Sequence, residues 1–161
     1  MPPVLPPRIA PDHTPPARIA LGLDFGLRRI GVALADTLSQ APRPLQAVAH
    51  GERGADWPAL DRLLRLHGPH VLVLGTPYNE DGSPGRLQSA TDRFSEQLTA
   101  RYRLPVERVD ERHSSREAGE RLAGQRREGT RRRRIQRADI DNEAAAIILQ
   151  RWLRGEGGGK R

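Results

Sequence analysis

Residues 19–36 read Ile-Ala-Leu-Gly-Leu-Asp-Phe-Gly-Leu-Arg-Arg-Ile-Gly-Val-Ala-Leu-Ala-Asp, and we expect the rest of the chain to be organised around this stretch. Two apolar runs flank residues 24–28, a connection that contains a glycine. This pattern predicts a β-hairpin. Asp24 then lies at the end of a core strand, where an uncompensated charge costs on the order of several kcal/mol. A metal ion, a cationic side chain or backbone amides could compensate the charge, or Asp24 could simply stabilise its own turn.

The composition predicts a single domain outside the membrane. A chain of 161 residues is long enough for one hydrophobic core without disulfides or a structural metal. It has no cysteine, which excludes disulfide frameworks, cysteine zinc sites and thiol nucleophiles. No apolar run approaches the roughly 20 residues of a membrane span, and no signal peptide is recognised. We therefore expect a cytoplasmic protein with no membrane partner.

Most of the excess positive charge lies in one stretch. The net charge is +7, and residues 116–137 contain nine arginines and three glutamates, a local net charge of +6. Concentrated arginine favours a polyanionic partner, because guanidinium groups fit phosphate oxygens. Residues 131–134 are four consecutive arginines, whose mutual repulsion predicts a mobile segment in the unbound protein. Six aromatic residues are too few to expect a base-stacking platform of the OB or RRM kind.

Local patterns divide the rest of the chain into elements. Residues 1–16 contain seven prolines, which predicts a disordered extension, and residues 154–161 predict a flexible glycine-rich tail. A short third strand is expected at residues 45–49. Asp56 and Gly68 have the pattern of a helix start and a helix end.

A buried strand is predicted at residues 71–74, because this run is apolar throughout, as central parallel strands are. A polar, glycine-rich loop at residues 75–85 leaves the carboxyl end of that strand. Open α/β sheets commonly bind ligands there, although the loop could also be an ordinary connection. A helix is expected over residues 87–98 and a further strand over residues 104–109.

A second acidic candidate, Glu111, follows that strand directly. Ser114 and Glu117 have the spacing of a capping box, so we predict that a helix begins at Ser114 with Glu117 as its cap. Glu111 then lies just past a strand end, as Asp24 does. Two parallel neighbouring strands would bring these carboxylates together.

A third acidic candidate, Asp141, lies in the last predicted helix. The preceding helix is expected to fade at Gly124, and Asp139 could be the N-cap of the last one. Asp141 would then point toward the edge of the core from the first helical turn, where the helix dipole favours an anion. An Asp in a first turn is often no more than a dipole partner.

Together these motifs resemble the YqgF family, whose members are described as pre-16S rRNA nucleases and as Holliday-junction-resolvase-like proteins of the ribonuclease H-like superfamily. The resemblance covers residues 17–153. Its pieces, in order, are residues 22–26 with 29–33, residues 75–77 with 81–83, residues 110–112, and residues 140–150. The chain departs from the family at His113, which replaces an apolar residue, and in its longer arginine run.

The resemblance implies an α/β domain of the ribonuclease H type at residues 17–153. The expected sheet is mixed and five-stranded, with three antiparallel strands within residues 18–50, parallel strands at residues 70–75 and 105–110, and helices on both faces. The family pattern places catalytic, metal-binding carboxylates at Asp24, Glu111 and Asp141. Oxygen ligands select hard cations, so Mg²⁺ or Mn²⁺ is the expected cofactor.

The implied activity is metal-dependent hydrolysis of phosphodiester bonds in nucleic acid, with processing of the 5′ end of pre-16S rRNA as the leading expectation. Branched DNA and single strands stay open as alternative substrates. The residues expected to bind nucleic acid are Arg28, Arg112, Arg131, Arg132, Arg133 and Arg134. His113 is imagined as a proton shuttle, but an exposed histidine is usually a bystander.

Two rivals belong to other functional classes. An Asp-x-Gly sequence that opens a β-hairpin also begins the phosphate-binding motif of actin-like and sugar-kinase ATPases. Those enzymes usually need a second domain, for which 161 residues leave no room. A non-catalytic nucleic-acid-binding protein would use only the arginine stretch and would leave the three acidic positions unexplained.

Overall fold

The computed structural model describes residues 16–79 and 81–155. Most of the predicted extension (residues 1–15) and most of the predicted tail (residues 156–161) lie outside the described residues. The strands are β1 (Ile19–Phe25), β2 (Arg29–Asp36), β3 (Arg43–Pro44), β4 (Val48–Gly51), β5 (Gly54–Ala55), β6 (Val71–Thr76) and β7 (Val106–Asp110). The helices are α1 (Trp57–His67), α2 (Gln88–Tyr102), α3 (Ser114–Arg127) and α4 (Arg137–Leu153).

The strands form one mixed sheet in the order β5-β4-β2-β1-β6-β7, and β3 also pairs with β2. β1 and β2 form the predicted antiparallel hairpin. β6 runs parallel to β1, and β7 runs parallel to β6. The predicted mixed α/β architecture, with a hairpin followed by parallel strands, is confirmed.

The sheet has seven strands rather than the expected five. The single strand predicted at residues 45–49 is wrong, because the pairing with β2 is interrupted there: β3 pairs with Ala33 and Leu34, whereas β4 pairs with Arg29 and Ile30. Three residues of the outer chain face two of β2 in between, which is the arrangement of a β-bulge. β5 is a two-residue strand that pairs antiparallel with β4.

Helices cover both faces of the sheet, as predicted. On one face, α1 and α2 pack Leu60, Phe94 and Leu98 against a core that includes Leu21 and Leu23 of β1. The opposite face of β1 and its neighbours is covered by α4 through its buried apolar side chains, which include Ala145, Ile148 and Leu149. α3 packs on the outer side of α4, where Ala118 of α3 lies in one apolar cluster with Ala144 and Ile147 of α4.

Glycines in the hairpin let α4 lie directly on the sheet. A Cβ atom at Gly31 would overlap the backbone carbonyl of Asp141, and one at Gly22 would overlap the side chain of Leu149. The side chain of Asn142 is buried and accepts a hydrogen bond from the backbone N–H of Val32 at 3.0 Å. The helix segment that carries Asp141 is therefore fixed against β2.

The start of α3 differs from the sequence prediction. The helix begins at Ser114, but the N-cap is His113, in the left-handed conformation with φ 64°, and no side chain caps the helix. The capping box of Ser114 and Glu117 is therefore wrong: Ser114 is already helical and buried. Glu117 instead accepts a hydrogen bond from Arg151 of α4 at 3.2 Å.

The segment from α3 to α4 also differs from expectation. α3 continues through Gly124 to Arg127, so the predicted fading at Gly124 is wrong. The N-cap of α4 is Gln136 rather than Asp139, because Asp139 occupies the third helical position of a capping box with Gln136. Asp141 consequently lies in the second turn rather than the first, so its position owes little to the helix dipole.

Across residues 16–79 and 81–155, no helix is long and apolar enough to cross a membrane.

Candidate active site

The three acidic candidates line one cleft of about 340 Å³ at the edge of the sheet. Asp24 is the next-to-last residue of β1, Glu111 follows the last residue of β7, and Asp141 comes from α4. The cleft is therefore formed where the ends of two strands meet a helix. The sequence pattern had placed Asp24 and Glu111 at such strand ends and Asp141 on the last helix.

Gly75 of the intervening strand β6 makes the approach of Glu111 possible. β6 lies between β1 and β7, so Glu111 must reach across it to meet Asp24. A Cβ atom at Gly75 would overlap Oε2 of Glu111. The missing side chain at this position is thus a requirement of the site.

Asp24 and Glu111 form a half-buried carboxyl pair. Burial raises the pKa of Asp24 well above its ordinary value, and the charge of Glu111, a hydrogen bond with Glu111 and the charge of Asp141 raise it further. Burial also raises the pKa of Glu111, although the hydrogen bond with Asp24 and the nearby charge of Arg108 act in the opposite direction. Since two carboxylates in contact resist ionising together, the pair retains a proton, held by Asp24, to higher pH than an isolated carboxyl would.

Asp141 is neutralised from the other side of the cleft. Its Oδ2 accepts a hydrogen bond from Nε of Arg29 at 2.9 Å. The two side chains are 26% and 34% exposed, respectively, so the ion pair is only partly screened by solvent. Arg29 thus supplies a positive charge beside Asp141.

The chemistry of the carboxyl pair fits a hard divalent cation. Oε2 of Glu111 is buried and has no hydrogen-bond partner among the described residues, which is unusual for a buried oxygen. Mg²⁺ is commonly held by one or two carboxylates while water and phosphate oxygens complete its shell. Within residues 16–79 and 81–155, no group of three or more Asp, Glu, His or Cys side chains is placed to hold one ion. The observed arrangement is therefore a pair, Asp24 and Glu111, with Asp141 tied to Arg29.

The arginines expected to contact nucleic acid fall into different environments. Arg112 lines the cleft and pairs with Asp110 at 2.6 Å, and Arg28 is exposed in the hairpin connection. The sequence predicted that mutual repulsion would dominate the arginine run at residues 131–134, but two of its arginines are paired with a carboxylate. Arg131 and Arg133 both pair with Asp139, at 2.8 and 2.5 Å, because that carboxylate projects toward the run from the first turn of α4.

The remaining two arginines of the run, Arg132 and Arg134, are exposed and form no ion pair with any described residue. His113 is exposed at the rim of the cleft. These three side chains are accessible to a ligand.

Sequence reasoning missed three residues that shape the site. Arg29 and Gly75 lie inside the quoted motifs, but the partner of Arg29 is 112 positions away. A glycine at position 75 is needed only because β6 lies between the strands that lead to Asp24 and Glu111. Arg151 donates a hydrogen bond to the backbone carbonyl of Asp110 at 2.9 Å and so fixes the end of β7. No local pattern signals that contact.

Comparison with known proteins gives consistent matches. The sequence profile of the RuvX family, described as Holliday junction resolvase, matches residues 18–155. A relative from Nitrosococcus oceani is 42% identical over 144 residues, which is 89% of this chain and 91% of the relative. One from Xylella fastidiosa is 45% identical over 139 residues, which is 86% of this chain and 88% of the relative. Both carry the name "Putative pre-16S rRNA nuclease".

A solved structure is also similar. Thermus thermophilus RuvC in complex with a Holliday junction substrate matches with a TM-score of 0.50 and 12% sequence identity, over 87% of this chain and 98% of the solved chain. At this identity the match shows the fold alone, and it confirms the ribonuclease H-like fold. The RuvX profile covers residues 18–155, and the two relatives are more than 40% identical over most of the chain. The chain therefore belongs to the RuvX family, which is the family called YqgF above.

Proposed function

We propose that this nuclease hydrolyses phosphodiester bonds of pre-16S rRNA in the cytoplasm, with Mg²⁺ or Mn²⁺ at Asp24 and Glu111. The observation that carries the proposal is the half-buried pair of carboxyl groups. The raised pKa values of Asp24 and Glu111 and the buried, unpartnered Oε2 of Glu111 call for a cation. Family membership supports hydrolysis of nucleic acid, and the names of the relatives support the substrate.

Each of the three carboxyl groups of the cleft has a role in the proposal. Asp24 and Glu111 hold the cation, and Asp24 must give up its proton for this to happen. A bound Mg²⁺ or Mn²⁺ would supply charge neutralisation at the scissile phosphate and lower the pKa of a water molecule. Asp141 adds negative charge within reach of Asp24 and serves as the third carboxylate of the site.

Arginines at the surface and at the cleft contribute to binding rather than to the chemistry. Arg28, Arg112, Arg132 and Arg134 provide guanidinium groups for backbone phosphates, which carry affinity without sequence specificity. Arg131 and Arg133 act indirectly, because their pairing with Asp139 holds the run in place beside α4.

The test is cleavage of three labelled substrates by the purified protein with Mg²⁺ or Mn²⁺: a pre-16S rRNA 5′ fragment, an unstructured single strand and a four-way DNA junction. We expect metal-dependent cleavage, fastest on the pre-rRNA fragment and abolished by EDTA. Faster cleavage of the junction would overturn the substrate assignment. Binding without cleavage of any substrate would overturn the nuclease assignment and favour a binding protein, whereas hydrolysis of ATP alone would favour the ATPase class.

A further inference from the structure

Tyr78 places an aromatic ring in the cleft that contains the carboxyl pair. It follows β6 by two residues and lines the cleft together with Asp24 and Glu111. The residue is 38% exposed, a large value for an aromatic residue beside a half-buried carboxyl pair. The proposed hydrolysis does not use this side chain.

The backbone around Tyr78 is held in place by local contacts. The N–H of Gly85 donates to the carbonyl of Pro77 at 2.8 Å, the N–H of Asn79 donates to the carbonyl of Ser83 at 2.9 Å, and Tyr78 itself forms a β-bridge with Pro84. A Cβ atom at Gly85 would overlap the carbonyl oxygen of Pro77. A preorganised ring loses little conformational entropy when a ligand packs on it.

Arg112 supports the ring. Its guanidinium carbon lies 6.0 Å from the ring centroid of Tyr78, within the range of a cation–π contact. Arg112 is itself anchored, since its backbone N–H and its Nε both donate to the carboxylate of Asp110, at 2.9 and 2.7 Å. Tyr78 and Arg112 therefore form an aromatic and cationic wall of the cleft.

We propose that Tyr78 stacks on an unpaired nucleobase next to the scissile phosphate. An aromatic ring beside guanidinium groups is the combination that binds single-stranded nucleic acid, through base stacking and phosphate contacts. A base inside a duplex already stacks on its neighbours on both sides and cannot present a free face. The inference rests on the proposed nuclease function and narrows its substrate to a strand that is unpaired at the cleavage site.

Fluorescence of 2-aminopurine tests the inference directly. The full-length protein is titrated, in EDTA so that no cleavage occurs, into single-stranded oligonucleotides that carry 2-aminopurine at successive positions. RNA and DNA versions are compared, because both offer the same bases. Wild type should quench the probe strongly at one position. Tyr78→Leu should lose that quench and bind roughly 5- to 150-fold more weakly, the range expected for the loss of one stacked base.

Three controls keep the result specific to stacking. Tyr78→Phe keeps the ring and should quench and bind like wild type, whereas weak binding by this variant would assign the effect to the hydroxyl and overturn the inference. Leu66→Ala removes another exposed side chain, 76% exposed, on α1 outside the cleft and should change nothing. Affinity for a blunt duplex should be equal in wild type and Tyr78→Leu.

The outcome is separable from that of the nuclease assay. Equal affinity and equal quench in wild type and Tyr78→Leu would overturn stacking, even if wild type cleaves RNA with Mn²⁺. Loss of quench in Tyr78→Leu would support stacking even if no metal supported cleavage, in which case only the proposed activity would fail. An equal loss of affinity for the duplex would also overturn the inference, because it would show that Tyr78 contacts the backbone or supports the fold.

Discussion

The surroundings of Asp24 favour the protonated form of its carboxyl group, and this predicts how stability depends on pH. Its pKa in the folded protein is raised well above the ordinary value of 3.8, so the free energy of unfolding falls as the pH rises from about 4 through that raised pKa. Asn has no proton to lose. In EDTA, Asp24→Asn should therefore become more stable relative to wild type as the pH rises, by up to about 1.4 kcal/mol per pH unit.

Thermal melts of the two proteins between about pH 4 and about pH 8 provide the measurement. Melting curves that shift in parallel would show that Asp24 is not held protonated. With Mn²⁺ added near neutral pH, the melting temperature of wild type should rise and that of Asp24→Asn should rise much less, because an ion that binds the folded state stabilises it.

Arg29 is the internal counter-ion of the site. Because its Nε pairs with Asp141 at 2.9 Å, Arg29→Met should leave that carboxylate uncompensated beside Asp24. The metal-free protein should melt at a lower temperature, and Mn²⁺ should raise the melting temperature by more than it does in wild type. Arg28→Met removes an exposed neighbouring arginine and should alter neither quantity. A smaller Mn²⁺ shift in Arg29→Met than in wild type would show that Arg29 positions Asp141 for the ion rather than competing with it.

At the scale of elements, the arginine run connecting α3 to α4 divides into two functional pairs. Arg132→Ser combined with Arg134→Ser removes two exposed cations. The slope of log K against log[salt] for single strands should then fall by about 1.4, at roughly 0.7 per phosphate contact, with stability unchanged. Binding titrations at several salt concentrations measure this slope.

The matched control combines Arg131→Ser with Arg133→Ser, which removes the same amount of charge from the same run. Because these side chains pair with Asp139, we expect a loss of stability of up to about 1 kcal/mol, the scale of partly exposed ion pairs. Equal salt slopes in both double variants would contradict the division into a binding pair and a structural pair.

Elements with a strong local pattern were predictable from the sequence. The hairpin β1 and β2, the buried strand β6 and the helix α1 all carry their signal within a few residues. The third strand was not predictable in this way, because the bulge that divides it into β3 and β4 depends on how this part of the chain pairs with β2. The start of α4 was also missed, because Gln136 caps the helix with Asp139, whereas Asp139 alone matches the commoner N-cap residues.

At the scale of the whole molecule, sequence reasoning found which carboxylates belong together but not how they are compensated. Asp24 and Glu111 were predictable because parallel strands end at one edge of a sheet. The pairing of Arg29 with Asp141 and the space provided by Gly75 depend on contacts between residues far apart in the chain. Such contacts arise from the packing of α4 and β6, which periodicity does not encode.

The carboxyl pair of Asp24 and Glu111 is the part of the site to which we assign the hydrolysis. The most direct measurement is the rate of Mn²⁺-dependent cleavage of the pre-16S rRNA fragment at saturating enzyme, compared between wild type, Glu111→Gln and Glu120→Gln. Glu120 is an exposed residue of α3, with a side chain 69% exposed, and serves as the matched control. We expect Glu111→Gln to slow cleavage by at least about 100-fold, the scale of removing a transition-state stabilising group, and Glu120→Gln to cleave like wild type. Cleavage by a folded Glu111→Gln at the wild-type rate would contradict this assignment.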